Sequence, residues 1–247
     1  MSFSSTGSTK PMLSLERLQE LYDRNQFLDA YQLSSEYWKP STRLEDLSTA
    51  ELVLGGRLAS RLGSSQLSRR LFKEAFRRDP SDPSAIYYSS YIERRGKALF
   101  DVLRKFESNP EIPGANDEIQ ASMFAYHAVL AGTVRDFDRA HQYLKRAHSY
   151  KTRDGWVFSC EADVLGFEDR WPEALQSAEQ AWRVSPGTPF AARGLATSLL
   201  NLRRAQELRR FWRKLRRAAS LMKMRCWPAG ISALPLKPTP AKSAGSY

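Results

Sequence analysis

The sequence predicts an all-α fold built from helix pairs stacked in a row. Three observations carry that expectation. Small and apolar residues recur every 34 positions, as at Ala128, Ala162 and Ala196. Elsewhere apolar residues are spaced three and four apart, the period of a helix, and no stretch of any length alternates as a half-buried strand does. The chain has 247 residues, 42% apolar and 26% charged, enough for a core and too apolar for wholesale disorder.

The elements follow in order. Residues 1–12 are a Ser/Thr-rich arm, expected to be disordered. The arm has no apolar core of a secretory signal, and one Lys without Arg makes a poor transit peptide. Residues 13–24 (LSLERLQELYDR) and 27–38 (FLDAYQLSSEYW) read as two helices, followed by a Pro/Ser connector to Ser48. Residues 49–62 and 64–78 form the next pair, stopped by Asp79-Pro80-Ser81-Asp82-Pro83. Residues 84–95 and 98–107 form an irregular pair around Gly96, and 109–116 is a loop. Regular repeats run to about 217, and a Pro-rich tail over 218–247 is expected to be mostly disordered, after a short helix that could reach Met224.

The repeats align without a gap over 121–154, 155–188 and 189–222. Position eight of each is Ala128, Ala162 and Ala196, and position twenty is Ala140, Ala174 and Leu208. Position twenty-four is Leu144, Ala178 and Trp212, and position twenty-seven is Ala147, Ala181 and Leu215. A further copy over 49–82 places Gly56, Ala59, Gly63, Phe72, Ala75 and Pro80 in register. Antiparallel helices approach closely only where one supplies small side chains, and a bulky residue fills the hole beside them. One pair cannot bury its apolar face alone, so pairs must stack.

This pattern resembles the tetratricopeptide repeat, a helix–turn–helix of 34 residues with small residues at positions eight, twenty and twenty-seven. The resemblance implies a right-handed solenoid of about five helix pairs over 13–217. The third gapless copy departs from the motif with Leu208 and no closing Pro, and residues 81–120 break the register.

The resemblance also places a concave groove, lined by the first helix of each pair at positions two, five, nine, twelve and thirteen. In the gapless copies these bring Trp156, Phe190, Ser159, Arg193, Asp163, Thr197 and Phe167 to the groove, with Ser122, Ala125, Val129, Thr133 and Asn201 at equivalent places. Trp156 and Phe190 read as groove residues. Tyr87 and Tyr91, from the irregular pair, suit either the groove or the core. Aromatics beside a few charges fit a peptide or a partner helix. The Lys/Asn/Arg clamp that some members of the family use for a C-terminal carboxylate is not matched, apart from the single Arg193.

The net charge of +11 is confined to one end. Residues 1–202 carry 26 basic and 26 acidic residues; residues 203–247 carry 12 basic residues and one acid, Glu207. Eight of those cations fall in 203–217, among them Arg203, Arg209, Arg210, Arg213, Lys214 and Arg217. Leu208, Phe211, Trp212 and Leu215 give the same segment an apolar face. It reads either as a docking stripe for nucleic acid, anionic lipid or an acidic partner, or as the solvated cap of a solenoid.

No catalytic pattern is found. His141 and His148 lie about 10 Å apart along one expected helix, too far to share an ion. No HExxH, GxxxxGK[ST], GxGxxG or GxSxG motif occurs. Two cysteines, Cys160 and Cys226, exclude a disulfide scaffold and a four-cysteine zinc site, and suit free thiols in a reducing compartment. No apolar run is long enough to span a bilayer. The expectation is therefore a cytoplasmic, non-catalytic interaction module without metal or cofactor. Two alternatives stand beside it: binding of nucleic acid or an anionic surface through 203–217, and the docking part of a larger enzyme or complex.

Overall fold

A computed structural model describes residues 14–38, 43–93, 110–152 and 154–226, with backbone alone for 36, 37, 93 and 216–226. Among the described residues there are eleven α-helices and no strand. They are α1 (Leu15–Asp23), α2 (Phe27–Tyr37), α3 (Thr49–Arg61), α4 (Ser65–Arg78), α5 (Pro83–Glu93), α6 (Asp117–Thr133), α7 (Phe137–His148), α8 (Trp156–Phe167), α9 (Trp171–Val184), α10 (Pro189–Asn201) and α11 (Ala205–Cys226). The expected helix over 98–107, Arg94 and Arg95, the arm over 1–12 and the tail from 227 lie outside the described residues.

Local chemistry sets the starts. Ser14 accepts the amide of Arg17, and Ser48 with Glu51 forms a reciprocal capping box at α3. Asn116 and Asp136 cap α6 and α7 in the same way. Pro172 and Pro189 occupy the first turns of α9 and α10, where a missing N–H costs nothing.

The turn inside each pair is the same. Asn25, Gly63, Arg135, Asp169 and Arg203 all hold positive φ, between 57° and 84°. One residue further on, the amides of Gln26, Ser64, Asp136, Arg170 and Arg204 donate to the carbonyls of Leu21, Ala59, Ala131, Leu165 and Leu199, five residues back. This left-handed C-terminal turn closes the first helix and reverses the chain. Arg135, Asp169 and Arg203 are 34 residues apart, so the sequence period is also a backbone period.

Packing follows the pairs. Helices α1·α2, α3·α4, α6·α7 and α8·α9 pack as partners. First helices also form a continuous row, α1 on α3, α3 on α5, α5 on α6, α6 on α8 and α8 on α10. Ala128, Ala140, Leu144 and Ala147 meet in one core cluster with Cys160 and Val164. The small-residue rule is visible atom by atom: a Cβ on Gly56 would lie 2.5 Å from the Phe72 ring, and one on Gly166 2.9 Å from Trp171. The bulky residue occupies the space the glycine leaves.

Helix α6 departs from the amphipathic pattern. Every residue from Ile119 to Gly132 is buried. Its sequence is apolar around most of its circumference, as expected of a helix covered on all sides. Ser122, Ala125 and Val129, placed on the groove by register, are thus largely covered.

The chain divides into two units, Met1–Leu208 and Arg209–Tyr247. The last helix begins at Ala205, not at Arg203, because Arg203 is spent on the left-handed turn. It continues through Cys226, two residues beyond Met224.

Candidate functional site

The first unit places a pocket of about 460 Å³ among α5, α6, α8, α9 and α10. Seven of the residues assigned to the groove line it: Tyr91, Val129, Trp156, Asp163, Phe167, Arg193 and Thr197. Tyr126, Trp171 and Ser198 join them, with Ala162, Gly166 and Gly194 leaving the space open.

Each lining residue has a structural reason to be there. Trp156 begins α8, and its amide is held by the Asp154 carboxylate at 3.2 Å. Ser185 accepts from the Gly155 amide at 2.9 Å and donates to Asp154 at 3.1 Å, which ties the start of α8 to the end of α9. Only glycine fits at 155, since a Cβ there would lie 2.5 Å from the Ala181 carbonyl oxygen. The indole of Trp156 meets Tyr91 and Phe190 edge to face, with centroids 5.5 and 5.4 Å away. Its Nε1 is buried and has no hydrogen-bond partner among the described residues. Arg193 bonds Asp163 across 2.7 Å, from α10 to α8. Burial works against the Arg193 charge, but the Asp163 bond outweighs it and raises the guanidinium pKa. Phe167 and Thr197 are exposed at the mouth.

Three other groove candidates are placed differently. Tyr87 is 5% exposed and packs in a cluster with Ile119, Met123 and Tyr126. Ser159 is 1% exposed, and its hydroxyl has no hydrogen-bond partner among the described residues. Phe190 is half-buried, under a guanidinium that the register did not single out.

That guanidinium belongs to Arg61. It lies 4.6 Å from the Phe190 ring centroid, donates to Tyr22 Oη at 2.9 Å and pairs with Asp154 at 3.1 Å. The ion pair joins residues 93 apart in sequence, from α3 to the start of α8. Arg57, one turn earlier, sits 4.3 Å from the Tyr22 centroid and 3.4 Å from Glu118. Burial disfavours its charge, but Tyr88, Tyr22 and Glu118 more than offset that, so its pKa is raised. Burial pushes the Glu118 carboxyl up despite the arginine. Sequence reasoning missed Arg57 and Arg61, although the signal was present: they are positions nine and thirteen of the copy that begins at Thr49. Tyr22, Tyr126 and Trp171 carried no such mark.

The remaining candidates are quickly placed. Cys160 is free and fully buried in the core. His141 pairs with Glu168 at 2.5 Å and His148 with Glu161 at 3.5 Å. Among the described residues no group of three or more His, Cys, Asp or Glu gathers to hold a metal. Arg203, Arg209, Arg210, Arg213 and Lys214 are exposed, and the side chain of Arg217 lies outside the described residues. Among the described residues no helix is long and apolar enough to cross a membrane.

No protein-family model matches the chain, and no curated protein matches it.

Proposed function

We propose that the chain is a tetratricopeptide-like solenoid acting as a non-catalytic docking module, and that the pocket beside Trp156 receives an apolar anchor residue of a peptide or protein partner. The solenoid reading is supported by the left-handed turn that recurs in register and by the continuous row of first helices. The docking reading rests on one observation: Tyr91, Trp156 and Phe167 converge on an open space of about 460 Å³, with the Arg193–Asp163 pair beside them. Aromatic walls supply contact area at small entropic cost, and a charged pair at the edge fixes a polar backbone or side chain. A cytoplasmic setting suits the buried free thiol of Cys160.

The test is selection from a peptide library on the purified full chain. Enriched peptides share an apolar anchor, and their binding is lost in Thr197→Arg, which fills the mouth from an exposed position without touching the core. Circular dichroism must show unchanged helicity in that variant. Peptides that bind Thr197→Arg as well as the parent would place the binding surface elsewhere.

A further inference from the structure

The last helix shows a different chemistry. From Ala205 to Cys226 it is one continuous helix of 22 residues. At 100° per residue, Leu208, Phe211, Trp212 and Leu215 fall within an arc of about 100°. Arg209, Arg210, Arg213 and Lys214 spread over about 140° of the opposite side. The two sets do not interleave.

The charge on the polar side is uncompensated. Glu207, the one acid of the helix, is held by Arg204 through both oxygens, at 2.6 and 2.7 Å. All four cations are exposed, and among the described residues none of them has an ion pair. The apolar side is not buried either. Trp212 is 45% exposed, and Leu208, Phe211 and Leu215 are only half-buried. The second helices of other pairs behave otherwise: Ala140, Leu144 and Ala147 of α7, and Ala174, Ala178 and Ala181 of α9, are at most 4% exposed.

We propose that α11 docks on an anionic lipid bilayer, lying in the plane of the headgroups. The charge asymmetry favours an anionic partner over a neutral or cationic one. A duplex uses the cations alone, and a single strand stacks bases on aromatic rings but leaves Leu208 and Leu215 without a partner. A bilayer interface takes both faces at once: headgroup phosphates and carboxylates meet the arginines, and the acyl boundary takes Phe211, Trp212 and Leu215. The long arginine and lysine stems allow the charged heads to stay at headgroup level while the helix settles.

The experiment is co-sedimentation of the full chain with vesicles of phosphatidylcholine alone and with about one third phosphatidylserine. The chain pellets with the anionic vesicles, not with the neutral ones, and added salt releases it. The quadruple variant Arg209→Gln, Arg210→Gln, Arg213→Gln and Lys214→Gln binds at least about tenfold more weakly with unchanged helicity. Brominated acyl chains quench tryptophan fluorescence, and Trp212→Phe removes most of that quenching. Failure to pellet, undiminished binding of the quadruple variant, or absence of acyl-chain quenching overturns the proposal. So does tighter binding to a nucleic acid that is indifferent to Trp212→Phe, which would assign the cations to a polynucleotide backbone instead.

Discussion

His127 shows how one buried side chain sets a pH limit. It sits in α6, 4% exposed, with its ring edge-on to Tyr143 at 5.4 Å. Burial, with a smaller contribution from Arg139, lowers its pKa to about 4. The unfolded value is near 6.5, so folding favours the neutral ring. Its contribution is complete above pH about 6.5 and is lost as pH falls towards 4, because the unfolded chain takes up a proton that the folded chain refuses. The loss reaches about 3 kcal/mol at the lower end. Glu74, held down to about 2 by bonds from Arg77 and Arg78, adds to the loss only as pH falls through its unfolded value of about 4.5, so the span from pH 6.5 to 5.5 reports His127 rather than Glu74. Urea midpoints should fall steadily between pH 6.5 and 5.5. His127→Phe keeps an aromatic ring beside Tyr143 and should flatten that slope. An equal slope in the variant would show that His127 is not the titrating group.

Within a helix pair the informative element is the turn. Gly63 has φ of 84° and no atom within 4 Å of an added Cβ, so Gly63→Ala tests backbone strain without a clash. It should cost about 1 kcal/mol, since a left-handed residue with a Cβ is disfavoured by that amount. Asp169, with φ of 61°, already bears that strain, and Asp169→Gly should recover up to about 1 kcal/mol. Thermal melts of the two variants should move in opposite directions; a shared direction would refute the equivalence of the turns. These turns also mark what the sequence hides. The alanine register was legible because a close helix crossing accepts few side chains, so Ala140, Ala174 and Ala147 recur. The turn carries a sequence mark at Gly63, and a weaker one at Asn25 and Asp169, whose side chains tolerate a left-handed backbone, but none at Arg135 and Arg203, which adopt it with ordinary side chains. The expected groove was legible in part. Position and residue type brought Trp156, Asp163, Phe167, Arg193 and Thr197 to one pocket. The burial of Tyr87 and Ser159 depends on which helices cover α5 and α8, and a period of 34 residues carries no such information.

Across the whole first unit, the longest-range polar link described above is the one between Arg61 and Asp154. Both side chains are mostly buried, at 14% and 20% exposure. Arg61 also holds Tyr22 of α1 and covers Phe190 of α10, so one guanidinium joins helices from both ends of the row. Nearest-neighbour stacking alone gives a repeat array stability that is a sum of local terms, and its ends can open independently. A cross-link between distant pairs should couple them. Removing one partner strands the other charge in a poorly solvated place, and for buried pairs that costs about 3–5 kcal/mol. Asp154→Asn should therefore destabilise strongly through the lost charge alone, because the asparagine amide oxygen still accepts from the Trp156 amide. Arg61→Met removes the opposing charge, keeps the stem, and in combination with Asp154→Asn should return part of that loss. A double-mutant cycle isolates the coupling from the separate contacts of each residue with Tyr22, Phe190 and Ser185. Hydrogen exchange in Arg61→Met gives the spatial readout: amides of α1 and α8 should lose protection together, although no backbone bond joins them. Additive mutations, or exchange that rises in α3 alone, would reduce Arg61 to a local contact and leave the array to nearest-neighbour stacking.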